Sequence, residues 1–132
     1  MLMRAIRNYT LFKAQRLSQK GEYVRATQII DKLLERHPNA IVFNLLAADT
    51  KQYSGDLPAA LEQFHFVKQL IDRQETIKAK NKRFLAAYIN YKIKGITLKI
   101  ENKPFPKAFE FTKLINDLEA DRNLKALFPL PE

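Results

Sequence analysis

The sequence has 132 residues, 46% apolar and 28% charged, which suits one globular domain with a core of its own. It contains no cysteine, which excludes disulfides and thiolate metal sites and fits a reducing, cytoplasmic compartment. Three glycines among many Ala, Leu, Lys and Gln favour helix over strand, and no apolar run approaches the roughly 20 residues of a membrane span.

The net charge of +9 is unevenly placed. Residues 1–67 carry nine Lys+Arg against six Asp+Glu, residues 68–107 eleven against three, and residues 108–132 three against five. Attraction to anionic partners is therefore expected in the middle segment.

The first predicted helix covers residues 3–20, with Leu2, Ile6, Tyr9, Lys13 and Leu17 at three- and four-residue steps. Thr10, Lys13, Gln15 and Arg16 interrupt it too often for a signal peptide. Gly21 ends it, and a second helix over 23–36 buries Tyr23, Ala26, Ile29, Ile30, Leu33 and Leu34 before Arg36, His37 and Pro38 stop it. Asn39 is the expected cap of a third helix, residues 40–54, with Ile41, Leu45, Ala48 and Gln52 on one face. After the Gly55 turn, Asp56 caps a fourth helix in which Pro58 is tolerated, and Leu57, Ala60, Leu61, Phe64, Val67, Leu70 and Ile71 face inward.

A fifth helical run spans 76–101 and carries two apolar stripes. Leu85, Ile89, Ile93, Ile96 and Ile100 form one, and Phe84, Tyr88, Tyr91, Gly95 and Leu98 form the other, with Lys92 and Lys99 between. Such a helix is either sandwiched between neighbours or open for binding on its tyrosine side. The turn at 102–106 precedes a sixth helix, 106–120, burying Phe109, Thr112, Ile115 and Leu118. Apolar residues in 121–132 either cover the last helix pair or form a docking tail.

Gly21-Glu22-Tyr23-Val24-Arg25-Ala26 and Gly55-Asp56-Leu57-Pro58-Ala59-Ala60 lie 55 − 21 = 34 residues apart. Together with Ala60 and Phe64, and with Ala26, Ile30 and Pro38, this pattern resembles the tetratricopeptide repeat. The first helices depart from that pattern. The family's Trp, Leu, Gly and Tyr are represented by Thr10, Lys13, Ala14 and Leu17, then by Asn44, Ala47, Ala48 and Lys51.

The resemblance implies an all-α fold: antiparallel helix pairs stacked as a short right-handed superhelical solenoid. Repeat units would cover 3–38, 39–72 and 75–120, with a C-terminal cap at 121–132. In the third unit Ala108 and Gly95 stand for the paired small residues, and the extra length either extends the first helix or forms a loop over 73–81.

The resemblance also implies a concave, partner-binding surface lined by first-helix residues. Here these are Asn8, Leu11, Gln15, Asp49, Gln52, Tyr53, Tyr88, Tyr91, Lys92 and Lys99. The family's carboxylate clamp is not expected, because Leu11, Gln15 and Leu46 replace its Lys and Asn residues.

The catalytic inventory is thin. His37, His65, Ser18 and Ser54 sit on different segments with no nucleophile–base pattern, so an enzyme is not expected. Neither is a metal site, a phosphate loop or any cofactor. His37 reads as a helix-end residue and His65 as a partly buried or surface one. Asp117, Glu119 and Asp121 read as a solvated helix end.

The sequence therefore predicts an adaptor that binds a peptide or helix, possibly acidic, of another protein. The alternative is an anionic partner such as nucleic acid held by Lys78, Lys80, Lys82 and Arg83, with Tyr88 and Tyr91 as stacking platforms. That alternative is the weaker one, since no nucleic-acid motif accompanies the basic run. A membrane-surface or homo-oligomerising (for example dimeric) helical scaffold is a third reading.

Overall fold

The structure is a computed structural model that describes residues 2–104, with side chains described from Tyr9 onward. Every regular element among these residues is an α-helix: α1 (Leu2–Gln19), α2 (Tyr23–Arg36), α3 (Ile41–Tyr53), α4 (Leu57–Arg73) and α5 (Ala79–Ile100). The predicted sixth helix at 106–120, with Ala108, and the cap or tail at 121–132 lie outside the described residues.

Three helices end in the same way. Gly21 has φ 84°, and the backbone bonds Glu22 N–H to Leu17 C=O (2.9 Å) and Gly21 N–H to Ser18 C=O (3.1 Å) close α1. Gly55, φ 88°, repeats the pattern on α3, with Asp56 bonded to Lys51 and Gly55 to Gln52. On α5 the left-handed residue is Asn102, φ 59°, with Lys103 bonded to Leu98 and Asn102 to Lys99. Each is a paired 6→1 and 5→2 closure around a left-handed residue, the conformation that glycine and then asparagine adopt at least cost.

From Gly55 to Asn102 is 102 − 55 = 47 residues, thirteen more than the first interval of 34. Nine of the thirteen lie in α5, which has 22 residues where α3 has 13, and three in α4, which has 17 where α2 has 14. The open alternative for 73–81 thus resolves mainly to a longer fifth helix, with 74–78 as the connection.

Neighbouring helices pack in sequence, α1 on α2, α2 on α3, α3 on α4 and α4 on α5, and α1 also reaches α3. The larger core joins Ile41, Leu45 and Ala48 of α3 to Ala60, Phe64, Val67, Leu70 and Ile71 of α4 and Leu85, Tyr88, Ile89 and Ile96 of α5. A smaller cluster joins Ala14, Ile30, Leu46 and Ala47. Ala14, Ala26, Ala48 and Ala60 are fully enclosed. At these points the lack of a larger side chain lets paired helices approach closely.

Three expectations need correction. Asn39 is not the cap of α3: Ala40 occupies that position and offers no side-chain bond. Asn44 supplies the anchoring instead, its amide donating to Ala40 C=O (2.8 Å) and Pro38 C=O (3.0 Å).

Second, α1 does not bury Tyr9 and Lys13. Among its described side chains Ala14, Leu17 and Ser18 face inward, with Leu11 half-buried, while Tyr9, Phe12 and Lys13 are exposed. The turn of the helix is set by small Ala14 against its neighbours and by a buried hydrogen bond from Thr50 to Ser18, 3.1 Å long.

Third, α3 is not buried along one face only. Phe43, Asn44, Leu46, Ala47 and Thr50 are enclosed as well, because α1, α2 and α4 surround it. Asp56 does cap α4, accepting from Ala59 N–H at 3.4 Å.

Candidate functional site

Helix periodicity places Asp49 and Gln52 one turn apart on α3, and Tyr88 and Lys92 one turn apart on α5. Packing brings the two pairs together. The Lys92 ammonium stands 3.9 Å from the Asp49 carboxylate and 5.7 Å from the centre of the Tyr88 ring. The Lys92 side chain is only 12% exposed and that of Asp49 25%. An ammonium this far out of water is held by the carboxylate and by the negative face of the ring, both stronger in a low-dielectric setting.

The Gln52 side-chain oxygen is buried and has no hydrogen-bond partner among the described residues. A buried acceptor left without a donor costs about 1–3 kcal/mol. Tyr53, beside it, is 54% exposed.

The remaining predicted residues spread more widely. Gln15 and Lys99 are exposed, while Leu11 packs against the small core cluster. Asn8 lies on α1, with its side chain outside the described residues. Tyr88 and Tyr91 are 8% and 7% exposed, so they serve as packing groups in this structure and their rings are not open platforms.

The basic residues at the start of α5 do not form one face. Lys78 is the cap residue, and Lys80 and Lys82 are turned from each other by about 200°. Lys82 is engaged, its ammonium donating to Asp72 C=O at 3.0 Å, whereas Lys78, Lys80 and Arg83 are exposed.

Two polar groupings escaped sequence reasoning. Thr50 and Ser18 form the buried hydroxyl pair between α3 and α1. Asn44 accepts from the Gln63 amide at 2.8 Å, and Gln63 accepts from Lys51 at 2.6 Å, which ties α3 to α4. The available signal was a polar residue at each of two otherwise apolar positions of α3.

Among the described residues no cluster of His, Asp or Glu is suited to a metal ion. His37 ends α2, its ring centre 6.0 Å from that of Phe43, and His65 is exposed. Ser54 donates to Lys51 C=O at 2.9 Å. No helix among the described residues is long and apolar enough to cross a membrane. Comparisons of the chain with protein-family models, with characterised proteins and with solved structures each found no match.

Proposed function

We propose that this chain is a short tetratricopeptide-like interaction module that takes a segment of a partner protein across the face of α1, α3 and α5. The observation that carries the reading is the Asp49–Lys92 contact. It joins two first helices through residues that the repeat pattern assigns to a binding surface. The 34-residue recurrence of the left-handed glycine turn, and the four enclosed alanines, support repeated helix pairs.

Chemically, the surface offers the partly exposed Asp49 carboxylate, the Lys92 ammonium and the exposed Tyr53 ring. A peptide backbone supplies N–H groups to the first and C=O groups to the second. An extended peptide, whose backbone groups are free, with an apolar side chain for Tyr53 matches this set. The burial of Tyr88 and Tyr91 counts against base stacking, and the scatter of Lys78, Lys80, Lys82 and Arg83 counts against a single phosphate-tracking stripe.

Affinity capture from native extract at low and high salt, with and without nuclease, tests the proposal. A discrete protein retained at high salt and lost on Asp49→Lys supports it. Capture that nuclease removes, with a steep salt dependence, overturns it in favour of a nucleic-acid partner.

A further inference from the structure

Helix α1 packs against α2 and α3 with Ala14, Leu17 and Ser18, and no other described helix packs on its opposite side from Tyr9 onward. That side carries Tyr9, 69% exposed, and Phe12, 57% exposed, two of the most exposed large apolar side chains among the described residues. Lys13 and Arg16 are exposed with them, and the Arg16 guanidinium lies 5.9 Å from the centre of the Phe12 ring. At 100° per residue these four side chains fall within a sector of about 100°. In sequence the series Leu2, Ala5, Tyr9, Phe12, Arg16 advances by alternating steps of three and four, the spacing along which a second helix seats.

The charges select the occupant. On this face α1 presents Lys13 and Arg16, and its sequence contains no acidic residue. A second copy of α1 on this seam would set cation against cation, which is unfavourable. A bilayer interface calls for a broad apolar face, whereas this stripe is narrow and shares its width with Lys13 and Arg16. We propose that the outer face of α1 is a docking seam for an amphipathic helix of another protein whose apolar stripe is flanked by Asp or Glu. The seam is separate from the face of α1, α3 and α5 and does not rest on it.

A fluorescent peptide of three heptads, with Leu at both core positions and Glu at both flanking positions, is the probe; its own like charges oppose self-association. Its anisotropy against the full chain should rise to saturation. Tyr9→Ser with Phe12→Ser should weaken binding by about tenfold, as loss of buried anchors does. Lys13→Glu with Arg16→Glu should weaken it similarly and transfer the preference to a peptide flanked by Lys. All four side chains are exposed, so both variants keep the fold, checked by circular dichroism. Absent saturation, undiminished binding by either variant, equal loss on Asp49→Lys, or displacement of the peptide by phosphatidylserine vesicles each overturns the proposal.

Discussion

The Lys92 ammonium of α5 stands 3.9 Å from the Asp49 carboxylate of α3, with the Tyr88 ring centre 5.7 Å away. Asp49 and Lys92 belong to helices that are not neighbours in the chain, so the contact bears on how α5 sits against α3. A double-mutant cycle with Asp49→Ala and Lys92→Met should give a coupling of about 0.5–1 kcal/mol in denaturant unfolding. The figure stays below that of a fully buried pair because Asp49 keeps a quarter of its side-chain exposure. Strict additivity would mean that the two charges do not interact in solution.

The Thr50–Ser18 hydrogen bond closes the α1–α3 contact with both residues buried. Thr50→Val strands the Ser18 hydroxyl and should cost about 1–3 kcal/mol. Adding Ser18→Ala to that variant should recover part of the loss, since neither group is then unsatisfied. A double variant less stable than the sum of the singles would contradict the pairing.

The three left-handed closures make opposite predictions for Gly and Asn. Gly21→Ala and Gly55→Ala place a Cβ at φ 84° and 88° and should each destabilise by about 1–2 kcal/mol. No neighbouring atom lies within 4 Å of either added Cβ, so the cost is backbone strain alone. Asn102→Gly, at φ 59°, should be neutral or mildly stabilising. Thermal unfolding that ranks the three alike would mean these turns do not hold this geometry.

Ala60 is fully enclosed where α4 meets its neighbours. Ala60→Leu should destabilise by about 1–3 kcal/mol through overpacking. A change below about 0.5 kcal/mol would show room between the helices that the structure does not have.

Local chemistry made much of this fold legible in the sequence. Helix α2 begins and ends where Tyr23 and Arg36 predicted, because a glycine turn precedes it and Pro38 follows. Asp56 capping and the inward set of α4 followed from spacing alone. The orientation of α1 did not, because Tyr9 and Lys13 share a helical face with Leu17 in sequence while the burial is decided by Ser18 meeting Thr50, 50 − 18 = 32 residues away. The role of Asn44 was not legible either, because its partner Gln63 comes from α4. Asp49, Tyr88 and Lys92 were named as one surface by the repeat pattern, and their proximity rests on packing that no local signal contains. Spacing alone allows Tyr88 and Tyr91 to face either core or groove, and their burial depends on the neighbours of α5.

The central claim is that the face of α1, α3 and α5 takes a protein segment. Photo-crosslinking through a benzophenone side chain tests it most directly, placed in turn at Tyr53 on that face, at Val24 on α2 and at His65 on α4, all exposed positions. The account predicts one discrete protein adduct from Tyr53, formed at high salt, insensitive to nuclease and abolished by Asp49→Lys, with none from Val24 or His65. Equal adducts from all three positions, or an adduct from Tyr53 that Asp49→Lys leaves unchanged, would contradict it.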